Sequence, residues 1–447
     1  MTETIRKVIN NTFFVLSEKL LNRTLSFLLT IYLARFLGTA DFGKLTFAMS
    51  FVSLFLVISD FGISMLSLRD ISSNIKDGAN YLGKMSTLKA VLSLFTFFII
   101  CSAIQFMKVE SDTKILVYFM AGYFLFESIG TFLATVFQAH ERMEFLLLFS
   151  TIEKIFLFIL CFVALQTTYN LKAISAAYLL SGFFYLLFIN FKIYISFFKP
   201  LYSFNLKFWK NALKDGLPFA IINLLSMVYF NIDIIMISKM KGEIEAGWYG
   251  VSYKLFFTIA TLAGAFLTAV FPLLSRSANE SAEQLKSVYD KSFKILFGLG
   301  IPLSIGGVIL SRKIILFLFG SHYENSISSF RIFSFIIVLG FLNSLSAYSM
   351  AVVQKQSVTA KILFITTVLN IILNYILIPS YGGSGAAFAT LVCEIILFAL
   401  LLTLGFSSFH PSVVSIISVF KAFAASLCMG AIVYFLKSWP LILIIFI

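Results

Sequence analysis

Residues 384–406 read SGAAFATLVCEIILFALLLTLGF, with Glu394 as the single charge. The hydrocarbon core of a bilayer is crossed by about 20 apolar residues in helical form. Inside lipid the backbone must satisfy its own hydrogen bonds, so a helix is the default solution. This stretch is one of a series that starts at Thr12. Earlier spans fall at about 12–37, 42–66, 81–107, 114–138, 143–167, 171–198, 211–239, 247–274, 288–319, 326–353 and 358–378, and a thirteenth at about 412–436. The tail, Pro440 to Ile447, is too short to cross. It is either a re-entrant stub or the start of a fourteenth helix. The chain is 60% hydrophobic and 12% charged, with a mean hydropathy of +0.96. A soluble globule, which needs a polar skin, is excluded. The expected fold is an all-α polytopic membrane protein with twelve core helices in two six-helix lobes. The lobes are 1–199 and 200–406, related by a pseudo-twofold along the membrane normal, with 407–447 as an additional C-terminal element. Movement of something across the membrane is the expected class of activity.

Charge gives the orientation. The net charge is +13, which in a soluble chain would suggest nucleic acid; here it reads as loop cations kept on the cytoplasmic side. With the N-terminus inside, the inner loops and their flanks hold 18 of the 34 Lys and Arg, Lys89 among them, against 11 outside. The longest connecting loops, Lys199–Gly216 and Ser275–Lys291, are cytoplasmic and basic and read as amphipathic along the surface. No cleaved signal peptide is expected, because Glu18, Lys19 and Arg23 interrupt the first apolar stretch. Cys101, Cys161, Cys393 and Cys428 all lie in apolar segments and read as small packing residues.

The two halves echo each other. Asp41-Phe42-Gly43 opens the second span and Trp248-Tyr249-Gly250 opens the eighth, an offset of 207. Gln138 and Gln354 end spans four and ten, an offset of 216, which also sets Glu127 against Asn343. One repeat is therefore six spans. An even number gives both halves the same orientation and places a substrate site between them.

Polar residues recur at helical spacing inside the spans. Span one carries Lys19, Asn22, Arg23, Ser26 and Thr30 on one face. Span seven carries Asn223, Ser226, Phe230 and Asp233; span two carries Thr46, Ser50, Ser53 and Asp60. Span four shows Tyr123, Glu127, Thr131 and Gln138, span eight shows Lys254, Thr258, Thr261 and Thr268, and span eleven shows Thr366, Asn370 and Asn374. Ser and Thr alone often serve as glue between helices. Stripes that carry full charges are costly in lipid and point to a wet cavity. Arg23, about three turns inside its span, reads as a substrate-facing cation rather than a partner of Glu18. Lys19 is close enough to the end to snorkel. Glu127 reads as a protonatable or ion-coupling group. Asp233 is a second such candidate, unless it pairs with Lys254 across spans seven and eight. Adjacent Glu153 and Lys154 point about 100° apart and so should not share one stripe. Asp60 precedes Phe61-Gly62, where a helix break is expected, and reads as structural.

Catalytic and energy-converting motifs are missing. No GxxxxGK[ST] loop, DxD pair or HExxH occurs. His140, His322 and His410 are far apart, and no metal or cofactor is expected. The Asn10, Asn22 and Asn279 sequons fall near the inner side and read as incidental.

Several motifs together resemble the polysaccharide transporters, the O-antigen and repeat-unit flippases of the multidrug/oligosaccharidyl-lipid/polysaccharide exporter superfamily. They are Tyr32 to Gly43 (YLARFLGTADFG), Ile58-Ser-Asp60-Phe-Gly62 with Arg69, and Phe137 to Arg142. Asn231-Ile-Asp233 through Gly247-Trp-Tyr-Gly250, Phe271-Pro272, Phe319 to Tyr323, Asn370 to Pro379, and Gly382-Gly-Ser-Gly385-Ala-Ala continue the series. The resemblance covers about residues 12–406. It implies alternating access in a two-lobe fold within the cytoplasmic membrane. The implied cargo is a polyprenyl-diphosphate-linked oligosaccharide carried to the outer leaflet, with H+ or Na+ as coupling ion. Glycan polymerases or glycosyltransferases would be its partners. Leu29 stands where the lipid II flippases have a further cation, which sets this chain apart from that branch.

The residues accommodate such a cargo. Arg23 and Lys254 could clamp a diphosphate. Lys19, Asn22, Asn223 and Asn370 could hold phosphate and sugar, and Tyr229 and Tyr253 could stack on rings. Two rivals remain. A cation-coupled multidrug or small-solute antiporter of the same superfamily would want an acidic cavity, whereas the span-one stripe is basic. A membrane enzyme would need an acid/base constellation near one surface and a large loop, and the sequence has neither.

Overall fold

The structure, a computed structural model, describes residues 2–73, 78–168, 170–197, 199, 202–405, 413–436 and 439. Twelve helices follow one another: α1 (Thr2–Asp60), α2 (Ile63–Ser73), α3 (Gly78–Phe106), α4 (Ser111–Ala139), α5 (Met143–Thr167), α6 (Leu171–Ser196), α7 (Leu206–Lys241), α8 (Glu243–Glu280), α9 (Ala282–Phe319), α10 (Ser326–Val352), α11 (Gln356–Leu400) and α12 (Val413–Phe435). Among the described residues there is no strand, and 10 helices are long and apolar enough to cross a membrane. Two of these are double. α1 has 59 residues, about 90 Å at 1.5 Å per residue, far more than one crossing needs. It breaks at Gly38 (φ 73°, ψ 178°), and α11 breaks at Gly382 (φ 55°, ψ −136°). Counting each as two gives the twelve expected core spans; α12 stands where a thirteenth is expected and falls among the shorter apolar helices. Pro440 to Ile447, Lys76 and His410 lie outside the described residues.

The helix faces are those of a protein in lipid. Large apolar side chains are exposed along the spans, Phe98 (64%) and Phe364 (56%) among them, while buried Ser, Thr and Asn are scattered through an apolar interior. The break between α1 and α2 falls at Phe61 and Gly62, both with positive φ, as the Phe61-Gly62 reading expects.

The basic connection 275–291 is helical on both sides of Ser281. α8 runs on to Glu280, and α9 starts at once with Ser281 accepting a hydrogen bond from the Gln284 amide (3.1 Å). A Ser three residues ahead of a Gln is an N-terminal capping pattern, and it restarts the helix within a residue. Asn205 does the same for α7, accepting from the Phe208 amide at 2.9 Å.

Two compact units emerge. Unit 1 is Met1–Leu29 with Lys44–Ile232; unit 2 is Thr30–Gly43 with Asp233–Ile447. Their divisions fall inside α1 and α7, whereas the expected lobes divide at the loop after residue 199. In unit 1, α4 lies on α6 and α3, with Phe132, Phe137, Met85 and Ile189 in its core. In unit 2, α10 is held between α8, α9 and α11 around Tyr249, Phe333 and Phe341. The Thr30–Gly43 segment is fastened within unit 2. Arg35 donates to the last carbonyls of α9, those of Phe317 and Leu318, where the helix dipole favours a cation. The Tyr323 hydroxyl donates to the Ala34 carbonyl at 2.9 Å.

The internal repeat is visible in the backbone at offsets other than the expected ones. Gly38 and Gly242 share one unusual conformation (φ 73° and 91°, ψ 178° and 179°), an offset of 204. α4 and α10 end in the same turn, with Glu141 and Gln354 at positive φ. In each, an amide reaches back five residues, Arg142 to Phe137 and Lys355 to Met350, an offset of 213. The expected 207 and 216 are each three residues too large. Three residues is nearly one helical turn, so a match slipped by that much keeps its face and escapes notice.

Candidate functional site

Unit 1 contains a cavity of about 690 Å³. Its polar lining comes from Asp60 and Ser64 at the α1–α2 break, from Asn223 on α7, and from Glu127, Ser128, Thr131, Thr135 and Gln138 along α4. The span-four stripe therefore does face a cavity. Its first member, Tyr123, turns to the protein interior instead.

Asp60 has a partner that the sequence concealed. Lys89 on α3 is 1% exposed and sits 3.0 Å from the Asp60 carboxylate, which also accepts from Ser64. One of the eighteen inner-side cations is therefore an intramembrane ion-pair partner, not a loop charge. Removing one member of a buried pair strands the other. Lys89→Met is expected to cost about 3 kcal/mol, the low end for such a change because Asp60 keeps 29% side-chain exposure. Lys89→Met with Asp60→Asn should recover most of it. Thermal unfolding of the purified variants checks this; equal midpoints for the single variant and the wild type would make the pair energetically idle.

Behind the cavity stands a second charged group. Lys154 on α5 lies 2.9 Å from Glu153, 3.5 Å from Glu127, and donates to the Tyr123 hydroxyl at 3.1 Å. The expectation that adjacent Glu153 and Lys154 diverge is corrected. Their Cβ directions differ by 100°, but the four-carbon lysine stem swings its ammonium back across that arc.

On span one, Asn22 spends its amide on protein. It donates to Glu18 and to Ser150 on α5, both at 2.8 Å, which ties α1 to α5. Lys19 is exposed and Arg23 half-buried on the same helix, and Asn223 is exposed on α7. Lys254 is half-buried on α8 in unit 2. Tyr253 is stacked on Tyr249 and Phe257 within the unit 2 aromatic cluster, so its ring is engaged by the fold.

Asp233 is the centre of the polar interior of unit 2. Its carboxylate accepts from Asn374 (2.6 Å), the Tyr249 hydroxyl (2.6 Å) and Thr390 (3.0 Å). Asn374 also donates to the side-chain oxygen of Asn370, Oδ1, at 3.0 Å. These partners, and not Lys254, are its contacts among the described residues. Asn370 and Asn374 are fully buried, so the span-eleven stripe faces this cluster rather than the cavity of unit 1. Two polar atoms there lack a partner, Asn374 Oδ1 and Asn370 Nδ2. An oxygen-rich set that is buried and incompletely satisfied can hold a small cation or a proton. Nearby, Asn343 donates to the Glu394 carboxylate at 2.6 Å. Glu245 accepts from the Gly383 amide at 2.7 Å and so caps the second half of α11.

Lipid-length helices enclosing buried charges and a polar cavity define a multi-pass membrane transporter, not a catalyst. The chain belongs to the polysaccharide biosynthesis protein family, whose sequence profile matches residues 8–278. The MatE profile matches 218–376. A Shigella dysenteriae protein whose name assigns it to O-antigen transport is 21% identical over 381 residues, covering 84% of this chain and 94% of that one. A Haloferax volcanii protein whose name assigns it to flipping in low-salt glycan biosynthesis is 25% identical over 186 residues, 41% of this chain and 39% of that one. The solved lipid II flippase MurJ in its inward closed conformation superposes with a TM-score of 0.79 at 18% identity, covering 95% and 92% of the two chains. That likeness is one of fold.

Proposed function

We propose that the chain is a flippase carrying a polyprenyl-diphosphate-linked oligosaccharide from the cytoplasmic to the outer leaflet of the cytoplasmic membrane, with its N-terminus inside. The observation that carries this reading is the family match across residues 8–278, joined by relatives named for O-antigen and glycan transport. Hydroxyls and amides along α4 and α7 suit a sugar, and Arg23, Lys19 and Lys254 suit a diphosphate. Asn22, one residue before Arg23 on α1, and Asn223, in the cavity lining on α7, would offer amides to the cargo. Asn370, fully buried beside Asn374, fits the coupling ion better than the glycan. Asp233 and Glu127 are the carboxylates through which H+ or Na+ would drive the cycle. Movement of the lobes 1–199 and 200–406 would supply alternating access.

Mass spectrometry of lipid extracts from cells lacking the protein tests this reading. The expected result is accumulation of one polyprenyl-diphosphate oligosaccharide, which also names the cargo. An unchanged lipid pool with surface glycan intact, in cells with no second flippase, would favour the small-solute antiporter. The MatE match over 218–376 is what keeps that alternative in view.

A further inference from the structure

The Glu127–Lys154–Glu153 group holds two carboxylates against one ammonium. It lies in mid-membrane, since Glu153 is the eleventh of the 25 residues of α5. Glu153 is 6% exposed, and its Oε1 has neither solvent nor a hydrogen-bond partner. A bare carboxylate oxygen in that position is costly. Among the described residues the surrounding groups do not supply a second cation. Tyr123 and Glu127 face the site from α4, Tyr178, Ser181 and Tyr185 from α6, and Cys161 from the next turns of α5, with Glu18 of α1 beyond Tyr185. The Ser181 hydroxyl spends its proton on the Tyr178 carbonyl at 2.8 Å and leaves Glu153 Oε1 without a donor. A metal ion would require several oxygens and would meet the Lys154 ammonium. A proton requires one oxygen. Bound to Glu153 Oε1 it forms an O–H bond, turns the carboxylate into a neutral donor and leaves the group with no net charge.

Exposure is graded along the three side chains. Glu127 lines the cavity with 28% of its side chain exposed, Lys154 has 19% and Glu153 4%. We propose that Glu153 is a proton-binding site, loaded from cavity water by way of the Glu127 carboxyl, with Lys154 holding the two carboxylates in one electrostatic unit. The binding needs no cargo; only its coupling to transport rests on the function proposed above.

Infrared titration of the purified full-length chain, with no lipid-linked glycan present, tests it. The expected wild-type spectrum has protonated-carboxyl stretching intensity that disappears as pH is raised. Glu153→Gln should remove one band of it, and Asp233→Asn should leave that band. Glu127→Gln should keep the band but slow its shift in heavy water tenfold or more. A Glu153→Gln spectrum that loses no band, or loss of the same band in Asp233→Asn, overturns the site; unchanged exchange in Glu127→Gln overturns the route. Should Glu153→Gln fail to yield monodisperse protein, Glu153→Asp must move the band, and an unmoved band has the same force. These spectra stand apart from glycan export, so loss of one reading does not entail loss of the other.

Discussion

Asp233→Asn is expected to leave the chain folded and to end coupled transport. The amide keeps the shape of the carboxylate but offers one acceptor oxygen where Tyr249, Thr390 and Asn374 all donate. The stability loss should be about 1–3 kcal/mol, the cost of one misfitted buried polar group. The functional loss should be larger. Without the negative charge nothing in the cluster holds a cation or releases a proton, and export should fall about 100-fold, the upper range of a coupling energy. Asp233→Ala goes further, since it strands three buried donors, and should cost about 3–5 kcal/mol. Glycan export in cells carrying each variant, set beside thermal unfolding of the purified chains, separates the two effects. Export at the wild-type rate by a stable Asp233→Asn chain would remove Asp233 from the coupling role.

Gly247→Ala should damage the fold itself. A Cβ on Gly247 would overlap the Thr39 carbonyl, and one on Gly43 would overlap the Glu243 carbonyl. Both obstacles are backbone, so neither can swing aside as a side chain would. The expected cost is at least about 3 kcal/mol, the top of the range for overpacking. Gly264→Ala is the matched control. It sits in the same helix with open space where the Cβ would go, and a helix prefers Ala to Gly by about 1 kcal/mol. Yield and monodispersity in detergent, with thermal midpoints, report the difference. Equal behaviour of the two variants would mean that the close approach at Gly247 relaxes without cost.

The spans were legible because lipid imposes a length and a composition on every crossing. Each expected core span has a helical counterpart, down to the breaks at Phe61-Gly62 and between spans eleven and twelve. Stripes were legible in direction but not in destination. Glu127, Thr131 and Gln138 do face a cavity, whereas Asn370 and Asn374 turn toward Asp233, 141 residues before Asn374 in the chain. No periodicity encodes which helix will stand opposite. Lys89 was misread for the same reason: near the start of a span a lysine counts as an inner-side cation until its partner, 29 residues away, is seen. Several motifs that carried the family resemblance meet in unit 2. Asp233, Tyr249 and Asn374 join in one cluster, and the Gly382-Gly383 pair is the helix start that Glu245 caps.

The glycine contact also says something about ancestry. Gly43 and Gly247 are counterparts in the two repeats, as are Thr39 and Glu243, and each glycine lies on the other's counterpart carbonyl. The offset is 204 from Gly38 to Gly242. It is 213 by the end of α4 and α10. The chain reads as a tandem gene duplication whose copies differ by nine residues, two and a half helical turns, between those points. Beyond that difference the later copy presents the opposite helix face at the old register, so the two halves were free to diverge in chemistry while their glycine contact stayed shared.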